Sequence, residues 1–164
     1  MFGFKKKQKP AAFVVVAPIT GEAIPLDEVN DKVFSTKMMG DGFAVKPADG
    51  ATQVVAPISG TIVALPSSQH AVGIKANVHG ISVLVHIGLD TVQLKGKGFT
   101  PHVAIDQEVT AGDPVIDFDP QVMADAGLEM TTMVIFTDGY QDAIDIGSKK
   151  HTAVTAGQPI LKQA

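Results

Sequence analysis

Two short segments of this chain each occur twice, and this internal repetition restricts the possible folds more than any other feature of the sequence. Residues 15–21 (VVAPITG) return 39 residues later as residues 54–60 (VVAPISG). Residues 109–116 (VTAGDPVI) return 45 residues later as residues 154–161 (VTAGQPIL). In each segment, Gly and Pro supply the backbone angles of a tight turn between two apolar runs. The repeats therefore predict a β architecture built on an internal duplication.

Short stretches of alternating apolar and polar residues predict further strands between the repeats. They cover residues 60–65, 70–76, 81–87 and 130–137, which are rich in Val and Ile. Residues 119–127 differ, because an N-cap Asp, a Pro at the first helical position and a closing Gly predict a short helix. The 16 Gly and 10 Pro leave little room for long helices. We expect an all-β fold, an antiparallel β-sandwich or partly closed barrel, with one or two short helices.

The charged residues divide the chain into a basic end and an acidic body. Four lysines and no acid occur in residues 1–10, which we interpret as a flexible basic tail; the alternative is a weak, reversible contact of this tail with a membrane surface. Residues 11–164 form a single domain in this interpretation. From residue 10 onward, 9 lysines oppose 17 acids, so the net charge of the body is −8. Such a body suits a basic protein partner.

Several classes of function are excluded by the residue types that the chain lacks or has rarely. It has no Arg and few aromatic residues, which argues against nucleic-acid binding. It has no Cys, so disulfides, thiolate metal sites and a Cys nucleophile are excluded. Its first residues lack the apolar core of a signal peptide, and no apolar run is long enough to cross a bilayer. We therefore expect a cytoplasmic protein.

His86 is the candidate reactive residue, because it interrupts an otherwise apolar predicted strand and is followed by Gly88. A backbone carbonyl in that turn could accept a hydrogen bond from one ring nitrogen, which would fix the tautomer. The other nitrogen would keep its lone pair, and a neutral imidazole needs no further activation to attack phosphorus. On these residues alone, His86 could equally be a hydrogen-bonded histidine at the edge of a sheet.

The residues that follow His86 favour the first interpretation. Residues 86–92 (HIGLDTV), with Leu94, Gly96 and Gly98-Phe99, resemble the active-site signature of glucose-type enzyme IIA of the bacterial phosphoenolpyruvate-dependent sugar phosphotransferase system. Other segments resemble further blocks of this family in the same order, namely APITG (17–21), GDGFAVKP (40–47), APISG (56–60), SQHA (68–71), GDP (112–114) and DFD (117–119). The resemblance covers residues 13–162 and its central motif is highly specific.

The resemblance implies a role for two histidines. His86 would be the phosphorylated residue, which accepts phosphate from the phosphohistidine of the carrier HPr and passes it to a cysteine of enzyme IIB. His70 would donate a hydrogen bond to the phosphoryl oxygens. The family fold is an antiparallel β-sandwich with a shallow apolar depression around the two histidines. The phosphate is bound covalently, so the resemblance implies no cofactor.

We also expect a docking region around the two histidines, made of apolar residues and acids. An apolar rim would keep water from a phosphohistidine, although ordinary core packing is the alternative for each apolar candidate. Acids would steer basic groups of the phosphocarrier, although Asp beside Gly also suits a turn. The candidates are Phe43, Val45, Leu84, Ile87, Asp41 and Asp90.

Other functions remain open on the sequence. The protein could be mainly a regulatory module whose phosphorylation state is sensed by other proteins, because phosphate on His86 would change the charge of the docking region. A zinc hydrolase on a similar scaffold is a weaker alternative, since the chain has no His-x-His or His-Glu-x-x-His motif. His70 and His86 could still bind zinc adventitiously or share it with a carboxylate of a partner.

Overall fold

The computed structural model describes residues 13–140 and 142–163, and most of these residues lie in short β-strands or the turns between them. The tail predicted at residues 1–10 lies outside the described residues. The strands are β1 (Phe13–Val16), β2 (Gly21–Pro25), β3 (Asp41–Pro47), β4 (Gln53–Val55), β5 (Gly60–Ala64), β6 (Ala71–Ala76), β7 (Ser82–Ile87), β8 (Phe99–Pro101), β9 (Glu108–Val109), β10 (Pro114–Phe118), β11 (Thr132–Asp138), β12 (Ala153–Val154) and β13 (Pro159–Gln163). The α-helices are α1 (Lys32–Ser35) and α2 (Pro120–Asp125), and 3-10 turns cover Leu26–Glu28, Thr91–Leu94 and Gly147–Lys149.

The strands form one large sheet and two small ones. The large sheet has the order β12-β2-β3-β11-β7-β6-β5-β9, and every neighbouring pair in it is antiparallel. The small sheets are β4-β10-β8 and β1-β13. Among the described residues, β12 and β9 end the order of the large sheet and do not pair with each other, so the sheet is not a closed barrel. Of the two architectures that we expected, the fold is therefore the antiparallel β-sandwich. Within the described residues, no helix has the length and apolar character that a membrane crossing requires.

The main core lies between the inner face of the large sheet and the two small sheets. Alternate residues of a strand point to opposite faces, so each strand contributes every second side chain to this core. Large, fully buried side chains in the core include Phe43, Ile58, Ile62, Ile74 and Ile116. Burial of this Val- and Ile-rich set is the main favourable term that holds the layers together.

The predicted internal duplication is visible in the hydrogen bonds of the repeats. The order of the large sheet is symmetric about the β11–β7 pair, with β3 matching β6 and β2 matching β5. The repeated segments also form matching pairs of backbone hydrogen bonds. In each pair, the donor and the acceptor of the second bond are the repeat counterparts of those in the first. These N–H to carbonyl bonds are Val16 to Pro57 and Val55 to Pro18, and likewise Ala17 to Gln158 and Ala56 to Asp113, all 2.8 Å long.

The two halves differ in one connection, and this difference prepares the site. Residues 65–70 join β5 directly to β6, whereas residues 26–40 join β2 to β3 by a longer path that includes α1. The longer connection covers part of the outer face of the large sheet and forms a second apolar cluster there. This cluster contains Ile24, Leu26, Val29, Phe34, Ala44, Leu89, Met133 and Ile135, with Leu84 packed against it.

The helix predicted from residues 119–127 is confirmed as α2. Its N-cap Asp119 accepts a hydrogen bond of 2.9 Å from the N–H of Gln121, as an N-cap carboxylate does. The other helix, α1, was not predicted, because four residues are too few for a helical apolar pattern. It begins with the same kind of N-cap, since the carboxylate of Asp31 accepts a hydrogen bond of 2.9 Å from the N–H of Val33.

Candidate active site

His86 and His70 lie side by side on neighbouring strands of the large sheet. His86 is in β7, and His70 directly precedes β6, in which Ala71 is the cross-strand partner of His86. The N–H of Ile87 donates to the carbonyl of His70 at 2.8 Å, which extends the ladder to the second histidine. The ring centroids are 4.9 Å apart and the ring planes are inclined at 77°. The structure therefore brings together the two histidines that the sequence singled out.

The His86 ring is half-buried on the outer face of the sheet between the rings of Phe34 and His70, and we call this position the depression. Residues of β7 alternate between the two faces, and those that face the core are Val83, Val85 and Ile87. His86 points outward and is partly exposed. The ring of Phe34 from α1 packs against it with a centroid distance of 4.7 Å, and Phe34 itself is buried. His86 is thus held between an aromatic wall and His70, with one side open.

The turn after β7 fixes the tautomer of His86. Its Nδ1 lies 2.9 Å from the carbonyl oxygen of Gly88, and since a carbonyl can only accept, Nδ1 carries the hydrogen and Nε2 keeps the lone pair. Gly88 has a φ of +78°, and a Cβ there would lie 2.6 Å from Thr91 and 2.8 Å from Met130. Only glycine fits this position, because a side chain would be both strained and crowded. The Thr91 hydroxyl donates to the carbonyl of Ile87 at 2.6 Å and closes the turn.

The surroundings of His86 favour its neutral form. Burial, and after it the neighbouring His70, lower its pKa, which falls from 6.5 to about 4. The Gly88 carbonyl and the carboxylates of Asp31 and Asp90 act in the opposite direction without reversing the shift. Burial also lowers the pKa of His70. At pH 7, His86 is therefore a neutral imidazole with a lone pair on Nε2.

His70 is oriented by a short hydrogen bond to a side chain two residues before it. The Ser68 hydroxyl lies 2.7 Å from Nδ1 of His70, and His70 is only 9% exposed. When the hydroxyl donates to Nδ1, Nε2 must carry the ring hydrogen and becomes a donor. The intervening Gln69 has a φ of 58°, a left-handed conformation that directs the chain back toward the sheet.

The predicted apolar rim is wrong for three of its four residues. Phe43, Val45 and Ile87 are each 0% exposed and belong to the main core. The physical reason is strand alternation: these side chains point to the inner face, away from the face that carries His86. Leu84, two residues before His86, does lie on the outer face and is partly exposed, and its docking role stays a prediction.

The two predicted docking acids have different surroundings. Asp90 is exposed with a φ of 61° beside the 3-10 turn Thr91–Leu94, and its docking role stays a prediction. In contrast, both oxygens of Asp41 accept backbone N–H groups, from Gly42 at 2.8 Å and from Ile144 at 2.9 Å. Lys37 adds an ion pair of 3.3 Å. These contacts favour the turn role that the sequence also allowed for Asp41.

Sequence reasoning missed several residues that lie at the pair or on the segments that adjoin it. They are Asp31, Phe34 and Ser68, described above, and four apolar residues that are unusually exposed: Val33 (45%), Met38 (76%), Met39 (44%) and Val92 (56%). Val33 lies in α1, and Met38 and Met39 lie shortly after it. The signal in the sequence was the pair of apolar doublets, Val33-Phe34 and Met38-Met39, in a segment that is otherwise polar.

The described part of the chain contains no group of three or more His, Asp or Glu side chains that could hold a metal ion. The site offers the two histidines alone. A zinc ion at His70 and His86 would therefore need a further ligand from another molecule.

The fold and the site together define a class of protein, a β-sandwich that presents a neutral histidine of fixed tautomer in an apolar depression on its larger sheet. A family model described as "phosphoenolpyruvate-dependent sugar phosphotransferase system, EIIA 1" matches residues 13–141. The chain belongs to this family. It is therefore a phosphocarrier component of the phosphotransferase system, as the resemblance in the sequence implied.

Individual relatives agree with this assignment. The chain is 43% identical over 160 residues to the glucose-specific EIIA component of Oceanobacillus iheyensis, an alignment that covers 96% of this chain and 93% of the relative. It is 51% identical over 124 residues to the glucose-specific EIICBA component of Streptococcus pneumoniae, but this alignment spans only 16% of that longer protein and 76% of this chain. The solved structure of glucose permease IIA from Mycoplasma capricolum matches with a TM-score of 0.83 and 37% identity, over 99% of each chain.

Proposed function

We propose that Nε2 of His86 accepts a phosphoryl group from the phosphohistidine of HPr and passes it to a cysteine thiolate of an enzyme IIB domain. In the first step a bond forms between Nε2 and phosphorus while the donor N–P bond breaks. In the second step an S–P bond forms while the Nε2–P bond breaks. The observation that carries this proposal is the hydrogen bond from Nδ1 of His86 to the Gly88 carbonyl, which leaves the lone pair on Nε2 free to attack phosphorus.

His70 and Ser68 have a positioning and charge-stabilising role in this mechanism. Phosphoryl transfer has a loose transition state, so catalysis depends on geometry and on donors to the phosphoryl oxygens. With Ser68 donating to Nδ1 of His70, the Nε2–H group of His70 is the donor beside the His86 ring. Both rings are held by bonds to the protein, so little reorganisation is needed when phosphate arrives.

The partners bind, in this proposal, to an outer surface that we call the docking face. It consists of Val33, Met38, Met39 and Val92 with the acids Asp31 and Asp90. The apolar residues are between 44% and 76% exposed although they are large and hydrophobic, which is the signature of an interaction surface when such residues cluster. The acids would steer basic groups of the partner toward the depression. One face then serves HPr and IIB in turn, since both must reach the same nitrogen.

We propose glucose as the sugar whose uptake this carrier serves, because the O. iheyensis, S. pneumoniae and M. capricolum relatives all carry glucose in their names. The S. pneumoniae name joins EIIC, EIIB and EIIA, which supports a IIB domain as the acceptor. We place the reaction in the cytoplasm, where phosphoenolpyruvate is made. The transferred phosphate is covalent, so the proposal requires no cofactor or metal.

Incubation with phosphoenolpyruvate, enzyme I and HPr is expected to add one HPO3 group to the protein. The adduct should be acid-labile, as phosphohistidine is, and peptide mapping under alkaline conditions should locate it in the peptide that contains His86. Intact-protein mass spectrometry followed by mapping makes the measurement. A stable adduct on Ser or Thr, or an adduct confined to another histidine, would contradict the assignment.

The imidazole of His86 is expected to titrate near pH 4 and not near the usual value of 6.5. Burial and the neighbouring His70 disfavour the imidazolium, so the ring stays neutral through the physiological range. Because the unfolded chain binds this proton near pH 6.5, His86 lowers the free energy of unfolding as the pH falls from 6.5 toward 4. NMR of the ring protons between pH 3.5 and pH 8 measures the midpoint. A midpoint near 6.5 for His86 would refute the expected burial effect.

A further inference from the structure

We propose that Met38 and Met39 form an oxidation-sensitive site, and that conversion of their thioethers to sulfoxides slows phosphoryl transfer by weakening partner docking. This inference rests on the proposed function, because it needs the docking face to contact the phosphate donor. It adds a modification site and a form of control that phosphotransfer alone does not require.

The first support is the distribution of methionines between surface and core. Five of the six methionines lie in the described residues. Met38 is 76% exposed and Met39 is 44% exposed, whereas Met123 and Met133 are almost completely buried at 1% and 0%. Met130 is partly buried under the turn that holds Gly88. An oxidant in solution therefore reaches Met38 and Met39 before the other three methionines of the described residues.

The second support is the residue composition. The chain has no Cys and no Trp, so no thiol competes for peroxide and no indole is present. Exposed thioethers are the softest side chains that remain. Methionine is therefore the residue that peroxide oxidises first in this protein, and the first product is the sulfoxide, which can be reduced again.

The third support is the place of Met38 and Met39 relative to the histidine pair. They lie in the turn that continues α1, where the N–H of Lys37 donates to the carbonyl of Phe34 at 3.0 Å. The N–H of Gly40 donates to the carbonyl of Lys37 at 3.1 Å. This short, bonded segment is anchored by the Phe34 ring, which packs directly on His86. A change of polarity at Met38 and Met39 is thus introduced in the same short segment that supplies the Phe34 contact with His86.

The chemistry is balanced with a peroxide as oxidant. One hydrogen peroxide transfers an oxygen atom to the thioether sulfur and leaves as water, giving the sulfoxide. Two thiols restore the thioether, with a disulfide and water as the other products. The sulfoxide is polar and chiral, so a flexible apolar contact becomes a hydrated group that must lose water to dock. We expect a higher KM for the phosphate donor with kcat nearly unchanged, since the bonds of His86 are not involved.

The test oxidises this protein alone. The purified chain is treated with limiting hydrogen peroxide, catalase removes the excess, and enzyme I, HPr and phosphoenolpyruvate are then added. Peptide mapping should find one added oxygen at Met38 and Met39 before Met123 and Met133. The kcat/KM for phosphate acceptance should fall by roughly tenfold, the size expected when one central interface contact is lost. Methionine sulfoxide reductases acting with a thiol should restore it.

A variant with Met38→Leu and Met39→Leu separates docking-face oxidation from general damage. Leucine keeps the apolar volume and has no thioether to oxidise. Peroxide-treated samples of this variant should therefore transfer phosphate as fast as untreated samples of the same variant. The inference would be overturned if peroxide slowed transfer by this variant as much as it slows transfer by the wild type. It would also be overturned if the wild type with Met38 oxidised transferred phosphate at the untreated rate. If the untreated wild type accepts no phosphate at all, it is the proposed function that fails.

Discussion

Replacement of His86 by glutamine is expected to reduce phosphate acceptance to background. Glutamine has nearly the same volume and can donate to the Gly88 carbonyl, but its amide nitrogen has no available lone pair and cannot form the N–P bond. The loss should be complete, because His70, the other imidazole at the site, accepts from Ser68 at Nδ1 and carries its hydrogen on Nε2, which leaves it no free lone pair. The measurement is transfer of labelled phosphate from phosphoenolpyruvate through enzyme I and HPr.

The matched control is the same substitution at His79. His79 lies in the exposed turn between β6 and β7 with a φ of 64°, and its ring lies edge-on to that of Phe13 at a centroid distance of 6.0 Å. His79→Gln should accept phosphate at the wild-type rate. Circular dichroism and thermal unfolding should show that both variants fold. Stoichiometric labelling of folded His86→Gln would show that another residue is the acceptor.

Much of the fold was predictable because its determinants are local. The strands at residues 60–65 and 81–87 have an alternating apolar pattern, and the α2 helix begins with an Asp-Pro pair that caps it. The repeats also predicted the duplication that the sheet order shows. The pairing of β11 between β3 and β7 was not predictable in this way, because packing joins residues far apart in the chain: Thr132 pairs with Val45, 87 residues before it, and with Ile87, 45 residues before it.

The reactive histidine was predictable in more detail than its surroundings. The turn after His86 was expected to offer a carbonyl to one ring nitrogen, and the Gly88 carbonyl does so. The rim failed at Ile87 for a reason the sequence contained: an outward His86 requires its immediate neighbour in the strand to point inward. For Phe43 the failure was different, because the face on which it lies depends on the register of β3 against β11. Phe34 was missed, since its contact with His86 spans 52 residues.

His70→Gln is expected to accept phosphate but to pass it on roughly 10²- to 10³-fold more slowly, the loss typical for removal of one transition-state donor. The nucleophile is intact in this variant, because the Gly88 carbonyl alone sets the tautomer of His86. Onward transfer is harder, because an anionic thiolate attacks an anionic phosphoryl group and concentrates more negative charge than an imidazole does. The His70 ring can donate from Nε2 and can take up a proton beside that charge, whereas a glutamine amide stays neutral. Single-turnover transfer from the purified phosphoprotein to a IIB domain measures this step alone.

Variants at Ser68 test whether His70 acts through its donor tautomer. Ser68→Ala removes the hydroxyl that lies 2.7 Å from Nδ1, so onward transfer should slow to a smaller extent than in His70→Gln, while Ser68→Thr keeps the hydroxyl and should be close to wild type. A purely structural role would instead lower the thermal stability of Ser68→Ala without separating acceptance from onward transfer. Onward transfer by His70→Gln at the full rate would leave His86 as the only catalytic histidine. In that case the phosphoryl oxygens must be neutralised by groups that the partner brings to the docking face.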